Sequence, residues 1–185
     1  MASIKSYVPA LARIVQMSPA ALYERHRALV RGGHLGNQGQ GPGRGVRATP
    51  ESIALLLLSI MSTDRLHESE ARVQNLAQSR VIGFEGICPF TKQKSFLPAL
   101  TDILESTRAL SVAEIIISRT ADIAQVKWWE RRSEDVTTVE FRGRRRQEAT
   151  IAVSATLNHE ALLKIAEDVQ AMELDQFYGD KGDEK

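Results

Sequence analysis

LARIVQMSPAALYERHRAL, Leu11 to Leu29, is the stretch on which the fold turns. Val8, Leu11, Ala12 and Val15 recur at helical spacing and predict a helix over residues 3–16, beginning near Val8 because Pro9 is tolerated only in a first turn. A second helix starts at once. Ser18 has the side chain of an N-cap, Pro19 fits the first helical position, and Ala20 to Val30 contain no breaker. Gly32-Gly33 ends it. Two short helices joined by a capped turn are therefore expected within the first 35 residues.

The spacing of these residues resembles that of helix-turn-helix DNA-binding proteins. In that family a small residue in the first helix, here Ala12, lets the second helix cross closely. A turn residue, an apolar residue and a capping Ser or Thr follow, and Gln16, Met17 and Ser18 stand there. Leu22 and Leu29 match the anchors that bind the recognition helix to the core. The family often has Gly where this chain has Gln16, and a side chain in that left-handed turn costs roughly 1 kcal/mol. The resemblance covers about twenty residues. It implies double-stranded DNA as partner, read by Ser18, Ala20, Tyr23, Glu24, Arg25, His26, Arg27 and Arg31. Arg27 and Arg31 are four apart and so adjacent on the helix, as phosphate and guanine contacts require.

The segment 32–45 contains seven glycines in fourteen residues, so residues 36–48 read as a Gly-rich basic loop or arm. Glycine lets backbone N–H groups approach phosphate, and Arg44 and Arg47 add charge for the minor groove. A linker between a head, 1–35, and a body, 49–175, has the same composition. Thr49-Pro50-Glu51 opens a third helix whose run, Ile53 to Met61, is apolar on nearly every side and must be enclosed. Leu66 to Arg80 and Ser95 to Glu105 read as further helices, with a connection over 81–95.

Residues 114–120, 123–129, 136–142 and 150–157 are rich in β-branched and aromatic side chains and predict three or four antiparallel strands. The last two are expected to form a hairpin around residues 143–146. Asn158 caps a final helix carrying Leu162, Ile165, Ala166, Val169 and Met172, and residues 176–185 read as an acidic disordered tail. The fold class is α+β: an N-terminal helix-turn-helix, a helical body and a small antiparallel β-sheet with a C-terminal helix. Arg142, Arg144, Arg145 and Arg146 form a second basic cluster, either a further nucleic-acid contact or a solvated hairpin tip that guards a sheet edge. Trp128 and Trp129 must face opposite ways.

Charge and chemistry narrow the function. The 185 residues carry 24 Lys and Arg against 23 Asp and Glu, a net +1. Residues 1–50 nevertheless hold +6 and residues 158–185 hold −5, which points to a polyanionic partner for the head. One cysteine, Cys88, excludes a disulfide framework within the chain and a cysteine-based zinc site. His26, His34, His67 and His159 are scattered, with no metal-ligand or catalytic spacing beyond the single pair His67 and Glu70. No enzyme, metal or cofactor is expected. No apolar run approaches the roughly 20 residues that cross a bilayer, and a cytoplasmic protein is expected.

The function expected from the sequence is sequence-specific DNA binding by a transcription regulator of a phage or bacterial mobile element. A small terminase or other packaging or replication-initiation protein is the main alternative, and an adaptor that binds protein rather than DNA is the third. A homodimer held by residues within 51–172, with two tethered heads, follows if a second copy must cover the 51–61 helix. On that expectation, the body stays folded when residues 1–50 are removed.

Overall fold

The computed structural model describes residues 3–36, 45–130, 135–143 and 152–179, with the backbone alone for 173–179. The described residues form an α+β fold, with six α-helices and a five-stranded antiparallel sheet. The first helix, α1 (Ile4–Ile14), starts four residues earlier than Pro9 had suggested. Ser3 and Ser6 form a reciprocal capping box that fixes its start. Pro9 then lies inside the helix on its exposed side, where it forfeits one backbone bond without burying the loss. Helix α2 (Pro19–Arg31) begins on Ser18, whose Oγ accepts from the Ala21 N–H at 3.1 Å. Gly33, at φ 74°, ends it in the left-handed region, which glycine enters without a Cβ clash.

Helix α3 (Pro50–Ser62) is the centre of the molecule. Thr49 and Ser52 form its capping box, and Pro50 takes the first position. Of its thirteen residues only Glu51 and Ile60 are not buried. It packs against α2, against α4 (Ser69–Ala77), against α5 (Phe96–Glu105), and against two strands of the sheet. The chain thus encloses α3 by itself, and the need for a second copy to cover it disappears.

The strands are β1 (Arg80–Ile82), β2 (Val112–Ser118), β3 (Ile123–Trp129), β4 (Val136–Arg142) and β5 (Ser154–Asn158), in the order β1-β4-β3-β2-β5. β3 and β4 fall where the residue pattern places them. Two differences stand out. β1 lies partly in the stretch read as a connection, because three residues are too few to display a two-residue period. The expected hairpin between β4 and β5 does not form. β1 occupies the free edge of β4, and β5 crosses to the far edge beside β2. That edge leads straight into α6 (His159–Gly179). Asn158 Oδ1 caps α6 by accepting from the Ala161 N–H, and the His159 Nδ1–H donates to the Val112 carbonyl at 2.7 Å. α6 then packs back over α5, β2 and β5. It runs to Gly179, into the segment read as a disordered tail; residues 180–185 lie outside the described residues.

One sheet face is covered, with Val81, Ile115, Ile117, Val126, Trp128, Val139, Phe141 and Leu157 buried. Trp128 stacks on Phe90 within this layer, and Trp129 points the other way onto His159. The alternate positions face out, as in antiparallel sheets with one solvated side. The buried side chains form one continuous cluster from Ile4, Leu11 and Leu22 through the α3 leucines to Leu162 and Val169. Tyr7 of α1 also reaches α6, its hydroxyl donating to Asp168 Oδ2 at 3.4 Å. The expected head and body therefore share one core. Among the described residues no helix is long and apolar enough to cross a membrane.

This shared core predicts that a fragment beginning at residue 49 does not fold. It lacks Ile4, Leu11, Leu22 and Leu29, each fully buried, and burial of each is worth about 1.5–3 kcal/mol. Circular dichroism melts of the fragment should show no cooperative transition. A melt as sharp as that of the full chain would show that the first two helices are dispensable.

Candidate nucleic-acid interface

The turn between α1 and α2 runs through Val15, Gln16 and Met17 to Ser18. Ala12 is buried at the helix crossing, and the Met17 N–H donates to its carbonyl at 2.9 Å. Gln16 adopts φ 53°, in the left-handed region that favours glycine. A residue with a side chain there carries a local cost, held in place by the Ser18 cap on one side and the Ala12 bond on the other. Leu22 and Leu29 are both fully buried and anchor α2 on the core.

That anchoring divides α2 into two faces. Ala20, Arg27 and Arg31 are exposed and Glu24 is half-exposed, at spacings of four, three and four residues, so they form one stripe along the helix. Arg27 donates to Glu24 at 3.1 Å. Exposed pairs of this kind are worth only about 0–1 kcal/mol, so a phosphate can displace the carboxylate. Tyr23 flanks the stripe, with the Lys5 ammonium of α1 over its ring at 5.8 Å from the centroid.

Arg25 and His26, expected to face a nucleic acid, do not. Arg25 is 6% exposed and turns into the protein. Its guanidinium donates to the carbonyls of Ser59, Thr63 and Asp64, the bond to Thr63 being 2.8 Å. It thereby closes the C-terminal end of α3, whose last carbonyls lack helical partners and carry the negative end of the helix dipole. Burial lowers its pKa, which the nearby Asp64 carboxylate opposes. Arg119 reaches the same end from the β2–β3 turn, donating to the Met61 carbonyl and to the Asp64 carboxylate. The His26 ring stacks on Tyr23 at 5.8 Å between centroids, and among the described residues neither of its nitrogens has a hydrogen-bond partner. Burial lowers its pKa, because the charged form would be desolvated without compensation.

The remaining arginines are dispersed. Arg47 is exposed and bridges to Ser3 at the start of α1. Arg44 lies outside the described residues, as do Arg144, Arg145 and Arg146. Arg142 sits at the end of β4, where Glu140 accepts from its Nε and Nη2 at 3.1 and 2.6 Å. Reading the sequence missed Arg72, which links α4 to the β2–β3 turn: it pairs with the buried Asp122 at 2.7 Å and donates to the Ser118 and Ala121 carbonyls. Nothing in its local sequence separates it from a surface arginine. Cys88 is buried and its sulfur accepts from the Thr91 N–H. Among the described residues no group of three or more metal-ligating side chains comes together.

Comparison with family models, with curated proteins and with solved structures found no match.

Two outcomes separate the faces of α2. Arg25→Ala should destabilise the fold by about 2–4 kcal/mol, since buried carbonyls lose charged donors, whereas Arg27→Ala should change stability by less than about 0.5 kcal/mol; urea melts measure both. His26 provides a pH test. Its folded pKa lies below the unfolded value, so its contribution is complete above the unfolded value of about 6.5 and is lost as pH falls from there through the folded pKa. Stability measured from pH 7.5 to 5 should fall more steeply in the wild type than in His26→Phe. Parallel curves would show that His26 carries no such linkage.

Proposed function

We propose that this protein binds double-stranded DNA sequence-specifically and acts as a transcription regulator, with α2 as the helix that enters the major groove. One observation carries the reading: the turn at Ala12, Gln16 and Ser18, with Gln16 in the left-handed region and Ser18 capping α2. This arrangement holds α2 rigidly against the core while its outward stripe presents Arg27 and Arg31. A rigid helix with two arginines one turn apart suits hydrogen bonds to guanine edges and flanking phosphates. The basic excess of residues 1–50 supplies the long-range attraction. Arg47, at the base of α1, is placed for phosphate rather than base contact in this reading.

The test begins with full-length protein and fragmented genomic DNA, recovering and sequencing the bound duplexes. Binding of the enriched duplex is then titrated over a range of salt concentrations for wild type, Arg27→Ala and Arg31→Ala. At least one variant should lose about 1–3 kcal/mol of affinity and discriminate less at one base pair. Arg47→Ala should weaken all duplexes alike and flatten the salt dependence. No enriched sequence, or equal affinity in all variants, would refute the assignment.

A further inference from the structure

The sheet carries a second arrangement of cations, at the end opposite in sequence from α2. In the β1–β4 pairing, Arg80 stands directly across from Arg142. Directly opposed residues of antiparallel strands have Cα atoms about 4.5–5.5 Å apart, so the two guanidinium groups share one neighbourhood. Like charges in that relation destabilise a sheet. Glu140 neutralises Arg142 alone. Arg80 is exposed and, among the described residues, makes no ion pair.

The two arginines line an open groove of about 540 Å³, with Asn75, Gln78, Ser95 and Gly143 among the other lining residues. Among the described residues no carboxylate lines it. Asn75 and Gln78 come from the end of α4 and offer amide N–H₂ donors. The Ser95 hydroxyl, at the start of α5, makes no capping bond to its own helix. Glu140 takes the Nε and Nη2 donors of Arg142, so the Arg80 guanidinium, Nη1 of Arg142 and the amide groups are the donors left for a ligand, a set that suits a tetrahedral oxyanion.

We propose that this groove is a binding site for a phosphate group, with Arg80 and Arg142 as its paired cations. With Arg142 paired to Glu140, the Arg80 charge is the one left without a counter-charge among the described residues, and a phosphate would supply it. The site is separate from the α2 stripe and does not depend on α2 reading DNA. The phosphate comes either from a nucleic-acid backbone or from a free phosphate or phosphomonoester.

Thermal melts of the full-length protein, with inorganic phosphate titrated against chloride at constant ionic strength, test it. Phosphate should raise the wild-type melting temperature saturably. Arg80→Gln should abolish that rise and, without phosphate, melt about 1–2 °C higher than wild type, because the like-charge pair is gone. A merely structural Arg80 would give a lower melting temperature instead. Duplex titrations identify the source. Several-fold weaker duplex binding by Arg80→Gln, with Arg27 and Arg31 intact, assigns the phosphate to a nucleic-acid backbone. Unchanged duplex binding together with a lost phosphate response assigns it to a small phosphate ligand. A phosphate response equal in wild type and Arg80→Gln overturns the proposal. So does no response in either when duplex affinity is also unchanged.

Discussion

The enclosure of α3 is the constraint from which the rest of the structure follows. An apolar helix with eleven of thirteen residues buried must be surrounded, and α2, α4, α5 and the sheet supply the walls. Burial creates a second requirement at its C-terminus, where carbonyl groups without helical partners would otherwise be stranded in the core. Two guanidinium groups from distant parts of the chain meet it: Arg25 from α2 and Arg119 from the β2–β3 turn. These contacts tie the first helices and the sheet to the same end of the same helix.

That tie changes the character of the N-terminal segment. A helix-turn-helix on a tether can adjust its orientation freely, whereas α2 here is clamped through Leu22, Arg25 and Leu29. Rigidity favours a recognition helix, because less conformational freedom is lost on binding. It also means that residues close in sequence serve opposite ends. Arg25 holds the fold, and Arg27, two residues on, faces solvent.

Much of this was legible before the structure. The cap-and-proline pairs Ser18-Pro19 and Thr49-Pro50 marked two helix starts, since each signal is local and has one stereochemical use. β3 and β4 were legible because their seven-residue stretches are rich in β-branched and aromatic side chains, which fit a pleated, half-buried surface. Long-range choices were not. The position of β5 depends on which strand edge is free and on where α6 must begin, and neither is encoded within residues 150–157. The local pattern favoured a hairpin that β1 pre-empts. Arg25 illustrates the same limit for the candidate interface. Its spacing from Leu22 and Leu29 puts it on the inward face of α2, a place unfavourable to an arginine unless partnered, and the partner, the carbonyl end of α3, lies more than thirty residues away. Pro9 does not set the start of α1, because the reciprocal Ser3–Ser6 cap fixes it more strongly than one lost hydrogen bond can move it.

The central claim is that α1, α2 and α3 form one cooperative unit closed by Arg25. Native-state hydrogen exchange of the full-length protein reads this directly, as the opening free energy of individual amides. The account predicts that the buried-face amides of α2, at Leu22, Arg25 and Leu29, exchange through the same global opening as Leu56 to Leu58 of α3, with matching denaturant dependence. Exchange of the α2 amides through a separate, lower-energy opening that leaves α3 protected would contradict it.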